Sequence, residues 1–191
     1  MKIERTFEKY YYLTGDEKSK VGNADPEDKN IHWDYFEKKD ADFTLTEPLR
    51  FRINPGRFSG TTGDYQFNSC GFLLFSEKLR AIFEKYLTEI DKPKWFPATV
   101  RDLDGKVADY FILYLFNKPD FLDYNNSTFV QGTDHPIKRR YDLDKIGERL
   151  IFNSTKLGVS LCVHDIVRKE IKKAGCTGIY CYKIHTAGRL S

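Results

Sequence analysis

Asp120 and Asp123 stand three apart in KPDFLDYNNS, and Asp102 and Asp104 sit beside Gly105 in RDLDGK. Carboxylates paired at such spacing can hold a hard cation or divide general acid and base work between them. They serve turns equally well, because an Asp side chain accepts hydrogen bonds from its own backbone a residue or two on. Cys162 and His164 are two apart, so a strand through them turns both side chains to one face, as a thiol–imidazole pair requires. Their setting, LGVSLCVH, is apolar and suits a buried, inert thiol better than a nucleophile. His32, His135 and His185 complete no HxxxH or HExxH pattern, and there is no GxSxG elbow for a serine nucleophile. Cys70, Cys162, Cys176 and Cys181 form no CxxC pair. The chain is therefore expected to have no catalytic residues, no metal and no cofactor. A small hydrolase or transferase with Asp120 and Asp123 in a cleft is the alternative.

Two basic clusters could meet phosphate: Lys138-Arg139-Arg140, and Arg168, Lys169, Lys172 and Lys173. Residues 1–40 carry ten acids and eight bases, residues 41–136 thirteen and eleven, and residues 137–191 five and twelve, giving −2, −2 and +7. The surplus is confined to the last third, and the sequence pI of about 8.5 falls below the basic footprint of a dedicated nucleic-acid binder. Neither cluster is interleaved with aromatic residues, and the second falls on one face of a predicted helix, so solvation explains both. A basic nucleic-acid module over residues 137–173 ranks third. The glycine-dense GRFSGTTGD fits neither GxxxxGK[ST] nor GxGxxG, and is read as a loop.

The elements that must position these residues are clearest in the middle of the chain. Phe72–Phe75 reads as a strand, and Ser76 stands as the N-cap of a helix with Glu77 in its first turn. Leu79, Ile82, Phe83 and Tyr86 repeat at i, i+3, i+4 and i+7, giving one inward stripe. Trp95–Arg101 and Val107–Phe116 read as a hairpin joined at Asp104-Gly105 by a tight turn with two left-handed positions. The return strand is apolar on both faces, as a doubly covered strand should be. Further on, Tyr141–Leu143, Glu148–Asn153 and Leu157–Val163 read as strands. Asp165 is the expected cap of a second helix with Ile166, Val167, Ile171 and Ala174 inward, Gly175 its left-handed end, and Gly178–Ile184 a closing strand. Laying Leu79 on Val167 aligns Phe83 with Ile171 and Phe75 with Val163, so a strand–helix–strand unit occurs twice. Phe7–Leu13 reads as the first strand, and Thr14–Asp40 as a charged loop with one short element at Ile31–Phe36, whose IHWDYF is an aromatic surface patch.

With 15 Phe and 12 Tyr against a single Met, rings supply much of the core. The fold expected is α+β: a mainly antiparallel sheet with a central hairpin and two amphipathic helices on one face. Residues 1–69 form a strand and loop-rich region, residues 70–184 an α+β core and residues 185–191 a tail, together one compact unit. The opening MKIERTFEKY lacks the apolar stretch of a signal peptide, and no run of about 20 apolar residues could span a bilayer. A cytoplasmic protein without membrane contact is expected.

The ordered set FSEKL, WFPATVRDLDGKVADYFILYLFNKPDFLD, YDLDKIGERLIF and VSLCVHDIVRKEIKKAGCTGIYCYKI resembles the Imm-eleven type immunity proteins of bacterial polymorphic toxin systems, over about residues 70–184. Where that family often begins a second helix with Ser-Glu, this chain has His164-Asp165. The resemblance implies a non-enzymatic protein that binds a cognate toxin or effector encoded by an adjacent gene and occludes its active or substrate-binding site. Interfaces favour Trp, Tyr and Arg anchors. Trp33, Tyr35 and Phe36 in the first long loop, with Asp120, Asp123 and Tyr124 in another, are the expected contacts.

Overall fold

The computed structural model describes residues 9–55, 60–154 and 160–184. The central hairpin forms as read: β6 (Pro93–Arg101) and β7 (Val107–Leu115) pair antiparallel at nine positions. The sheet that holds it is closed, not open. Together with β2 (Asn23–Pro26), β3 (Leu49–Ile53), β4 (Tyr65–Asn68) and β5 (Leu73–Phe75), it closes into a six-stranded barrel in the order β2-β3-β6-β7-β5-β4. Two pairings are parallel, β3 with β6 and β2 with β4, and they bring the N-terminal strands into the ring. Alternate residues point inward. Phe96, Ala98 and Val100 of β6 meet Tyr110, Ile112 and Tyr114 of β7 in the barrel core.

A second sheet has the order β10-β11-β1-β12, all antiparallel, formed by β10 (Ile151–Asn153), β11 (Leu161–His164), β1 (Tyr10–Gly15) and β12 (Ile179–Lys183). Phe7, expected in the first strand, His185, and residues 157–159 of the expected Leu157–Val163 strand lie outside the described residues. Residues 10–69 thus supply strands to both sheets.

Helices α1 (Glu77–Glu84) and α3 (Asp165–Lys173) occupy the layer between barrel and sheet. Leu79, Ile82 and Phe83 of α1 and Val167 and Ile171 of α3 share one apolar cluster with Leu113 and Leu115 of the barrel and Leu13 and Val163 of the sheet. Lys85 and Tyr86 both reach Glu170, tying the helices together. Ser76 caps α1 as expected, its hydroxyl accepting from the Leu79 amide. In α3 the cap is His164, not Asp165. Its Nδ1 accepts from the Ile166 amide, while Asp165 sits in the first turn and pairs with Arg168 and Lys169.

Two other local readings are corrected. Residues 141–143 form no strand: Tyr141 makes one bridge to Leu122, and Asp142 caps the short α2 (Leu143–Ile146), accepting from the Asp144 and Lys145 amides. In the hairpin turn only Gly105 has positive φ, +84°. The Asp102 carboxylate accepts from the Lys106 amide, and the Gly105 amide donates to the Asp102 carbonyl. This makes a wider turn with one left-handed residue instead of the two-residue form.

Candidate functional site

The Asp120–Asp123 pair and the Cys162–His164 pair are both engaged in folding. The Asp120 carboxylate accepts from the Leu122 amide at 3.0 Å and from the Tyr124 hydroxyl at 2.6 Å. Asp123 accepts from the amides of Asn125 and Asn126, each at 3.1 Å, and from the Asn126 side chain at 2.6 Å. The Asn126 side chain and these amides hold the Asp123 carboxyl below its ordinary range. Cys162 and His164 do share a face, opposite Tyr12 and Tyr10 respectively. But Cys162 is fully buried, which pushes its thiol well up, and the His164 ring caps α3 and packs edge-on against Tyr10 at 5.1 Å. Among the described residues no group of three His, Cys, Asp or Glu is placed to hold a metal ion.

The aromatic patch divides. Hydrogen-bonded turns run from His32 to Lys39, with no helix or strand. Trp33 is 59% exposed, and Tyr35 is half-buried against Phe36 and Phe43 with the Lys39 ammonium over its ring. Phe36 is 1% exposed and stacks on Phe96 at 4.5 Å, within the apolar cluster of the barrel. It is a core ring that braces the loop, not a surface contact, because only burial against Phe72, Phe96 and Tyr114 satisfies its apolar area. Tyr124 is 48% exposed and stacks on Phe129 at 5.6 Å. Lys118 links the two regions: its ammonium pairs with Glu37 and donates to the Tyr114 hydroxyl.

Beyond Lys118 the chain makes an excursion over the far face of the second sheet. Phe121, Tyr141 and Ile146 cover Tyr10, Phe152 and Cys162 there. The excursion projects a two-stranded arm, β8 (Thr128–Phe129) paired with β9 (Pro136–Lys138), pinned at its base by the Asp123 amide donating to the Arg140 carbonyl. A groove of about 590 Å³ runs between arm and sheet, with Tyr12, Ile137, Lys138, Arg139, Tyr182 and Lys183 in its lining. Tyr12 and Tyr182 are register partners with rings 6.2 Å apart, and the Tyr12 and Tyr141 hydroxyls are 2.5 Å apart. Burial pushes both of these phenols up, so they keep their protons at neutral pH. Among the described residues that line it, three are cations and none is an acid.

Sequence reasoning singled out the basic run at 138–140 but not the tyrosines facing it. The only local signal was Tyr180 and Tyr182 alternating on an edge strand. Both remain about half exposed.

Compared with known families, residues 6–186 match the model of an immunity protein family, Imm11. The match extends well beyond the stretch whose motifs carried the resemblance. No curated protein matches the chain.

Proposed function

The chain belongs to the Imm11 immunity protein family, and from that premise we propose that it binds a cognate protein toxin and neutralises it by covering the toxin's active or substrate-binding face. The toxin is the product of an adjacent gene in a polymorphic toxin system, and the protein acts in the cytoplasm of the cell it protects. It works by binding and not by turnover.

The observation that carries this reading is a division of labour among side chains. Asp120, Asp123 and Cys162 are occupied in turns and core, while Trp33 and Tyr124 stand exposed on braced loops. Trp33, Tyr35 and Tyr124 supply apolar contact at little rotamer cost, and beside Tyr124 the Asp120 and Asp123 carboxylates are fixed by their own loop. Phe36 supports Tyr35 from beneath. Charge on both partners speeds the encounter. No helix among the described residues is long and apolar enough to cross a membrane, and the reading requires none.

The test is co-purification of the tagged chain with an active-site variant of the adjacent gene's product, followed by calorimetry. A stoichiometric complex of about nanomolar affinity is expected, weakened at least about tenfold by Trp33→Ala, with growth rescue lost in proportion. Absence of both a complex and protection would overturn the reading.

A further inference from the structure

We infer that the groove between the β8–β9 arm and the second sheet receives an acidic, extended segment of the toxin, its carboxylates meeting Lys138, Arg139 and Lys183 and its apolar side chains lying on Tyr12, Ile137 and Tyr182. The inference rests on the immunity reading and adds a second contact surface with a defined partner chemistry.

Charge complementarity is the first argument. Of the two basic clusters in the last third of the chain, the one on α3 is partly neutralised, since Asp165 holds Arg168 and Lys169. Lys138 and Lys183 are exposed, and among the described residues neither forms an ion pair. Among its described lining residues the groove holds no carboxylate to answer its three cations. Asp16 and Glu17 line an adjoining hollow that shares Tyr182 and Thr14 with the groove. A second copy of this chain would bring like charge to like charge, so self-association through the groove is disfavoured.

The lining chemistry is the second argument. The Tyr12 and Tyr141 hydroxyls are hydrogen-bonded to each other, and either can be the donor. Arg139 hydrogen-bonds with both phenols, which holds its guanidinium in the groove wall, where a carboxylate could accept from its remaining N–H donors. Ile137, 63% exposed, and Tyr182, 46% exposed, flank this point with apolar surface that a chain segment would cover. Arginine and tyrosine around a desolvatable slot make the composition of an interface anchor. A nucleic-acid strand fits less well: Tyr12 is tied edge-on to Tyr141, and Tyr180 and Tyr182 are tilted 50° to each other, so no flat stacking platform is presented.

The experiment measures affinity of the purified toxin variant for wild type, Lys138→Glu/Lys183→Glu, Tyr182→Ala and Trp33→Ala, at low and raised salt, with circular dichroism confirming each fold. Lys138, Lys183 and Tyr182 are exposed, so these variants should fold. The double charge reversal is expected to weaken the complex about tenfold or more and to flatten its salt dependence. An acid-to-lysine change in one toxin segment should restore it. Wild-type affinity in the double variant, with loss only in Trp33→Ala, would overturn the groove inference and leave the immunity reading intact. No complex with the wild-type chain would overturn both. Loss of binding to a short single-stranded RNA, with toxin affinity retained, would make the occupant nucleic acid and overturn the inference.

Discussion

Asp64 joins the barrel to the second sheet through one carboxylate, and replacing it should cost more than any ordinary surface acid. It lies just before β4, with its side chain 12% exposed. One oxygen accepts from the Ser76 hydroxyl at 2.7 Å, at the start of α1. The other accepts from the Thr177 amide at 2.8 Å and hydroxyl at 3.1 Å, in the turn between α3 and β12, and pairs with Lys78 at 2.8 Å. Hydrogen bonds to an ionised group contribute roughly 1.5–3 kcal/mol each, and an ion pair to a half-exposed lysine about 0–1 kcal/mol. Taking the part-buried Ser76 hydroxyl at full weight and discounting the solvent-exposed Thr177 amide and Lys78, Asp64→Ala should lose about 2–3 kcal/mol in urea unfolding. Asp64→Asn, which keeps the shape and one acceptor, should lose about half of that. The pH dependence has a definite sign. Burial pushes the carboxyl up, but Lys78, the Thr177 amide and the Ser76 hydroxyl outweigh it and hold it below the unfolded value of 3.8. A depressed carboxylate contributes stability that is complete above the unfolded value and fades as pH falls through the folded one. The gap between wild type and Asp64→Asn should therefore be constant near neutrality and shrink below about pH 4. A loss under about 0.5 kcal/mol for Asp64→Ala, or a gap that does not narrow in acid, would refute the reasoning.

Two further substitutions separate core from surface and turn from clash. Phe36→Ala should cost about 3–5 kcal/mol in urea unfolding, and Trp33→Ala, three residues earlier but 59% exposed, less than about 0.5 kcal/mol. Similar losses for the two would contradict the placement of these rings. Gly105 and Gly178 both have positive φ, at +84° and +76°, but an added Cβ meets open space at Gly105 and the Tyr65 carbonyl oxygen at 2.3 Å at Gly178. Gly105→Ala should cost about 1–2 kcal/mol from backbone conformation alone, and Gly178→Ala clearly more, read as the difference in thermal midpoint. Equal midpoints would show that the approach of the Thr177–Gly178 turn to β4 is not tight.

What the sequence by itself determined was local. The cap at Ser76, the 3.6-residue stripes of α1 and α3, the left-handed Gly175 and the two strands of the hairpin each depend on residues within a turn or two of one another, so spacing reveals them. The same logic failed where two local partners competed: His164 and Asp165 can both cap, and the backbone direction entering from β11 gives the position to His164. Ring orientation in IHWDYF was illegible because it has no period, and whether Phe36 turns inward depends on β6 and β7 presenting Phe96 and Tyr114 some sixty to eighty residues on. Tertiary structure alone decided that the strands close into a barrel, since the parallel pairings β2–β4 and β3–β6 join segments with no shared turn to set their register. It alone decided the groove as well. Tyr12, Ile137 to Arg139 and Tyr182 come from three distant stretches, and no pattern along the chain records that sheet pairing and the packing of the arm bring their phenols and cations to one surface.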